Sequence, residues 1–228
     1  MFRTTLPKMT KFNIEIVSDT VCPWCYVGKQ KLEQAITQYK QDHPKSNDEF
    51  STTWMPFYLN PDAPKVGADK VAMYRAKLGP RTDMIFGRLL QVGADCGINF
   101  KFGGKTGNTR DSHRLIQLGK SKSPAMQTRV VEEFFASYFE NEGDITDHQV
   151  LTTAAVKAGL SEDEVTKWLK SDLGGPEVDR EVEEAKMQQI SGVPNFTIQG
   201  KYEVGGAQDP GVFYRLFEKI KAAEASNV

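Results

Sequence analysis

The stretch Phe12-Asn13-Ile14-Glu15-Ile16-Val17-Ser18-Asp19-Thr20-Val21-Cys22-Pro23-Trp24-Cys25 decides the fold. Residues 12–17 alternate apolar and polar side chains with a β-branched bias, the signature of a half-buried strand. Ser18, Asp19 and Thr20 bring turn and cap chemistry. From Pro23 the period changes: Leu32, Ala35, Ile36 and Tyr39 fall on one face of a helix. Pro23 suits the first helical turn, where its missing N–H costs nothing. The order is strand, short loop, two cysteines around a Pro-Trp pair, then a helix that His43-Pro44 ends.

Outward from there, residues 50–59 are rich in strand formers, and Pro56 restricts them to an edge, a bulge or a strand end. Asn60 to Pro64 is a break. A helical block follows. Val130, Val131, Phe134, Phe135, Tyr138 and Phe139 mark its strongest apolar face, suited to a core or to a dimer contact. Thr146 with Gln149 and Ser161 with Glu164 read as capping boxes. After a last helix at about 177–189, Phe196-Thr197-Ile198 and Tyr202-Glu203-Val204 form two short strands around Gly200-Lys201, a hairpin signal. Val212, Leu216, Phe217 and Ile220 close the chain with an amphipathic helix. Neither flank holds enough strands for a sheet alone. Joined, they give about four strands and two helices, so residues 10–60 and 190–228 form one discontinuous α/β domain and residues 61–189 an inserted helical domain.

Composition sets outer limits. The 228 residues include 39% hydrophobic and 26% charged side chains, with a formal net charge of −1. That is ordinary for a soluble domain and argues against a polyanionic partner such as nucleic acid. No apolar run reaches the length of a membrane span. The first residues lack the apolar centre of a secretory signal. Arg3, Lys8 and Lys11, with no acid before Glu15, faintly suggest a mitochondrial presequence. The expected compartment is reducing cytosol, with mitochondria second.

Three cysteines are too few for a secreted disulfide scaffold. Cys96 stands alone and reads as a small buried hydrophobe. Cys22 and Cys25 are one turn apart at a helix start. The unsatisfied N–H groups and the helix dipole there favour a thiolate at the first sulfur. Cys22, at the exposed end, would attack a disulfide, and Cys25 would resolve the mixed disulfide. A zinc site would need two further ligands, and His43, His113 and His148 are scattered singly, so no metal is expected. The Gly192-Val193-Pro194 step precedes a strand, and the residues alone leave its peptide either trans or cis.

The run from Ser18-Asp19 through Val21-Cys22-Pro23-Trp24-Cys25-Tyr26-Val27-Gly28 resembles the DsbA-like thioredoxin family, and within it the FrnE-like branch. Asn108-Thr109 with His113-Arg114-Leu115, the Gly192-Val193-Pro194-Asn195-Phe196 loop and the Gly205-Gly206-Ala207-Gln208 turn carry the resemblance over about residues 12–220. It implies a thioredoxin fold with a large all-helical insertion, a cis-proline at Pro194 facing the sulfurs, and a Val193 backbone that pairs with an extended substrate. Pro23, Trp24, Val193, Pro194, Gln208, Asn108 and His113 would then line the substrate site, although Asn108 and His113 serve equally well as loop and helix braces. Related kappa-class glutathione transferases and 2-hydroxychromene-2-carboxylate isomerases carry serine where this chain has Cys22.

Three functions stay open on these grounds. The first is a dithiol oxidoreductase acting on protein or glutathione disulfides, with no bound cofactor and glutathione as a co-substrate. The second is a glutathione-dependent transferase or isomerase of a small aromatic substrate. The third is a non-catalytic, chaperone-like binding module.

Overall fold

The computed structural model describes residues 9–226, so Arg3 and Lys8 of the presequence reading lie outside the described residues. Strand β1 (Lys11–Ser18) leads into helix α1 (Pro23–Asp42) and strand β2 (Glu49–Pro56). Near the other end come β5 (Asn195–Ile198), β6 (Tyr202–Gly205) and α9 (Pro210–Ser226). The sheet order is β2-β1-β5-β6, with β1 parallel to β2 and antiparallel to β5. The two halves of the discontinuous domain thus meet in one sheet, β1 lying between its sequence neighbour and a strand about 180 positions away in sequence.

The alternation in β1 explains the layering. Phe12, Ile14 and Ile16 are buried. Phe12 packs edge-on to Tyr39 of α1 at 5.4 Å and against Phe217 of α9 at 5.2 Å, so both helices cover that face. Asn13 and Glu15 point the other way and, with Ser51, Thr53 and Thr197, floor an open polar groove. The outer edge of β2 is closed by a side chain that imitates a strand. The Gln127 carboxamide accepts from Trp54 N at 3.0 Å and donates to Trp54 O at 2.8 Å, which satisfies an otherwise open edge.

The inserted block runs through α2 (Lys70–Leu78), α3 (Thr82–Asp95), α4 (Arg110–Lys122), α5 (Pro124–Phe135), α6 (His148–Lys157), α7 (Glu162–Leu169) and α8 (Gly175–Met187). A two-residue ladder of β3 (Ala68–Asp69) with β4 (Lys105–Thr106) interrupts it. Helix α5 continues into a π-helical turn, Ala136–Glu140. Val130, Val131, Phe134, Phe135, Tyr138 and Phe139 are core within the chain, so that face is spent internally. Aromatic and polar contacts tie the block to α1. Tyr26 stacks on Phe135 at 5.1 Å, the Tyr26 hydroxyl donates to Glu140 at 2.6 Å, and Lys29 pairs with Glu132 at 2.6 Å.

Both expected capping boxes are replaced. At α6 the N-cap is Asp147, whose carboxylate accepts from Gln149 N and Val150 N. Thr146 instead donates its backbone N–H and its hydroxyl to Asp144. At α7 the Ser161 hydroxyl makes no capping bond, and Glu164 is drawn away to Lys122. Three acids in that first turn meet the positive helix end instead.

Candidate active site

The site is built where β1 runs out. Asp19 to Cys22 form a turn closed by Cys22 N donating to Asp19 O at 3.0 Å. Cys22 then caps α1 with extended backbone (φ −91°, ψ 111°), and Pro23 takes the first helical turn. Cys25 N donates to Cys22 O at 3.0 Å, which sets the second sulfur one turn further in. Both are free thiols. The expected exposed helix start is corrected here: Cys22 is 4% exposed and Cys25 1%, and both belong to the core. The covering comes partly from the proline loop, because the Cys22 thiol donates to Val193 O at 3.6 Å.

The two thiols have different surroundings. Burial, and then the neighbouring Cys22, push the Cys25 thiol well above its ordinary value. The Ser18 hydroxyl and the Asp19 backbone bond to Cys25 and oppose that rise without cancelling it.

The Val193–Pro194 peptide is cis. Pro194 O accepts from Gly206 N at 2.8 Å, so β6 holds the loop from behind. Helix α1 approaches the loop closely at Gly28, where an added Cβ would lie 2.9 Å from Pro194 Cγ and 3.1 Å from Phe196 Cζ. Trp24 is half-buried, with the Arg88 guanidinium of α3 over its ring at 5.4 Å.

The remaining predicted residues divide. Gln208 lies on the turn that follows β6, exposed, its amide donating to Gly205 O at 2.8 Å. Asp209 beside it pairs with Lys31 of α1. Asn108 accepts from Arg110 N at 3.0 Å and its own N–H donates to Pro64 O, bonds that brace the entry to α4. His113 is buried on α4, its Nε2 3.1 Å from Phe57 O and 3.5 Å from Asp19 Oδ1.

Sequence reasoning passed over Asp19 and Tyr74. Asp19 is 1% exposed; its Oδ2 accepts from Leu59 N at 2.8 Å, while Oδ1 has no hydrogen-bond partner among the described residues. His113 lies within ion-pair reach of that oxygen yet makes no hydrogen bond to it, since the Nε2 hydrogen is directed to Phe57 O. An acid at a strand end three positions before a cysteine was the available signal. Tyr74 of α2 stacks edge-on with Phe86 at 5.3 Å, and Phe86 lies flat on Phe102 at 3.9 Å. Burial chiefly, and then the charge of Cys22, raise the Tyr74 hydroxyl. Among the described residues no group of three or more His, Cys, Asp or Glu gathers as a metal site.

A four-stranded sheet with a two-cysteine helix start facing a cis-proline loop defines a thioredoxin-fold protein of the dithiol type. The DSBA-like thioredoxin domain family matches residues 13–217, and the chain belongs to it. The chain is 28% identical over 212 residues to YwbO, an uncharacterized protein of Bacillus subtilis, covering 88% of this chain and 93% of that one. A probable DsbA oxidoreductase from Streptomyces coelicolor has a structure that matches at a TM-score of 0.81 and 29% identity, over 91% of this chain and 89% of that one. The fold is also that of a 2-hydroxychromene-2-carboxylate isomerase (TM-score 0.68, 14% identity, 95% and 99% of the chains). The cytosolic disulfide reductase DsbM from Pseudomonas aeruginosa, with GSH, shares it too (TM-score 0.59, 12% identity, 91% and 98%).

Proposed function

We propose that this protein is a thiol–disulfide oxidoreductase in which Cys22 attacks and Cys25 resolves, with protein or glutathione disulfides as substrates. The observation that carries the reading is the apposition of the two free thiols at the start of α1 to the Val193–Pro194 loop, with Cys22 Sγ 3.6 Å from Val193 O. A substrate backbone that pairs with Val193 would bring its sulfur to Cys22. Trp24, Pro23 and Pro194 would form the apolar rim around that sulfur. Glutathione enters as co-substrate, the compound bound in the DsbM structure of the same fold. In a reducing compartment the pair would rest as the dithiol and run as a reductase.

The chemistry needs two steps. The Cys22 thiolate attacks a disulfide, forming a bond to one substrate sulfur and releasing the other as thiolate. Cys25 then attacks the Cys22 sulfur, the mixed disulfide breaks, and a Cys22–Cys25 disulfide forms. Insulin reduction and glutathione-disulfide turnover test the reading. Both should vanish in Cys22→Ser, and wild-type activity in that variant would reject it.

One observation favours a second reading. Tyr74, Phe86 and Phe102 stack into an aromatic group on the inserted block, a surface suited to a flat apolar compound. A glutathione-dependent transferase or isomerase would use it. Turnover of an aromatic electrophile that survives Cys25→Ala would support that reading, and absence of any heat on titrating glutathione would sink it.

A further inference from the structure

The inserted block distributes its charges unevenly. Most cations from α4 to α8 are neutralised by neighbours, as in Lys122–Glu164, Arg180–Glu184 and Lys186–Glu183. Residues 70–90 differ. They hold five basic side chains (Lys70, Arg75, Lys77, Arg81 and Arg88) and one acid, Asp83, in a chain whose net charge is −1. Lys70 is buried, but the other four cations are exposed. Among the described residues none of those four makes an ion pair or a side-chain hydrogen bond. Nothing within the chain neutralises this stretch.

Part of the stretch reaches the dithiol. Arg81 closes the turn Gly79–Arg81 that leads into α3. Arg81, Met84 and Arg88 then follow at i, i+3 and i+7, the spacing of one helix face. Met84, between the two cations, is 67% exposed. At the end of this face the Arg88 guanidinium lies over the Trp24 ring at 5.4 Å, and Trp24 sits in the motif between Cys22 and Cys25. A guanidinium that rests its flat face on a ring keeps its N–H edge free for a carboxylate. Arg81 lies seven residues away, about 10 Å along the helix axis. An extended peptide covers that distance in about three residues.

Resting on the dithiol reading above, we propose that the face of α3 formed by Arg81, Met84 and Arg88 docks the acidic flank of a substrate protein. The segment it fits has a carboxylate beside its disulfide cysteine, within reach of Arg88, and a second about three residues further on, opposite Arg81. Met84 covers the apolar side chain between them. Paired guanidinium–carboxylate contacts fix the register of such a segment, and the unpaired charges around them speed its encounter. Glutathione disulfide is too short to span both arginines and engages Arg88 at most. A nucleic acid or an anionic bilayer would need a wider basic surface than one helix face in a chain of balanced charge.

The test mixes the reduced full chain with excess disulfide-bridged peptides of one sequence, bearing Glu, Gln or Lys at the two flanking positions, and follows peptide reduction by acid quench and mass spectrometry. The wild type should prefer the Glu peptide to the Gln peptide by about tenfold, with the Lys peptide slowest. The difference should lie in the half-saturating concentration rather than the limiting rate, and should shrink in 0.5 M sodium chloride, where screening shortens to about 4 Å. In the double variant Arg81→Gln, Arg88→Gln the preference should fall to about twofold or less. Lys167→Gln with Lys170→Gln, two exposed cations of α7, removes the same net charge elsewhere and should keep the preference. Equal rates for the three peptides in the wild type overturn the proposal. So does a preference kept in the arginine variant, or lost equally in the lysine variant. Slowing of glutathione disulfide as large as that of the Glu peptide in the arginine variant also overturns it, since the face would then serve glutathione. Should the arginine variant not fold, the wild-type peptide ranking and its salt dependence decide. Reduction of none of the peptides would instead reject the dithiol reading itself.

Discussion

Cys22 and Cys25 lie one helical turn apart and differ in what surrounds them. Burial raises the Cys25 thiol, so its neutral form is the one the fold favours. That contribution is present below about pH 8.5, the ordinary thiol value, and is lost as pH rises towards the higher folded-state value. One equivalent of iodoacetamide at pH 7 should therefore label Cys22 and spare Cys25, with Cys25 labelling appearing only in alkali. Peptide mapping that finds equal labelling at neutral pH would contradict this. The motif was open to a reader of the sequence, because Cys-Pro-Trp-Cys after a strand is local information. The burial of Cys22 was not, since it depends on Val193, 171 positions away. Nor was the placement of Asp19, whose partners Leu59 and His113 arrive from other elements.

Gly28 ties helix α1 to the proline loop. Gly28→Ala places a methyl group 2.9 Å from Pro194 Cγ and 3.1 Å from Phe196 Cζ, against a ring fixed to the backbone and a buried aromatic. The expected cost is about 1–3 kcal/mol in urea denaturation, with Cys22 becoming more reactive as the loop moves away. An unchanged midpoint and alkylation rate would show that the contact is loose. A second tie is Asp48, in the turn before β2, which accepts from Thr10 N, the Tyr39 hydroxyl and Lys221. Burial raises its carboxyl, but Lys221, Ser46, Thr10 and Tyr39 outweigh it and hold the group down at about 2. A carboxylate held low stabilises the fold above the ordinary range and loses that effect as pH falls through about 2. Asp48→Asn should cost about 2 kcal/mol at pH 7 and far less near pH 2; an equal penalty at both would refute the assignment. At this scale β1, α1 and α9 were readable from period alone. The hairpin was readable too, and its positive-φ residues are Gln199 and Gly200. The caps of α6 and α7 were not, because Asp144 and Lys122 compete for the expected partners.

The insertion and the sheet are joined through an aromatic core rather than a hinge. Phe135 is fully buried, stacks on Tyr26 of α1 at 5.1 Å and meets Trp54 of β2 at 6.2 Å. Phe135→Ala should cost about 3–5 kcal/mol and lower the whole transition together, with far-ultraviolet dichroism and tryptophan fluorescence coinciding. Two separated transitions would mean that the parts unfold independently. The division into sheet and inserted block could be read from the return of the strand period after residue 189. How the two pack could not, because Lys29–Glu132 and Tyr26–Glu140 are contacts between distant positions that leave no local pattern. No helix among the described residues is long and apolar enough to cross a membrane.

The short reach from the first sulfur to the loop carbonyl bears on how a substrate is admitted. With the S–H of Cys22 resting on Val193 O, the chain acts as its own placeholder, seated where an incoming backbone would dock. A visiting strand has to take over that carbonyl, and in doing so it turns the thiol loose. Docking and unmasking are then a single exchange.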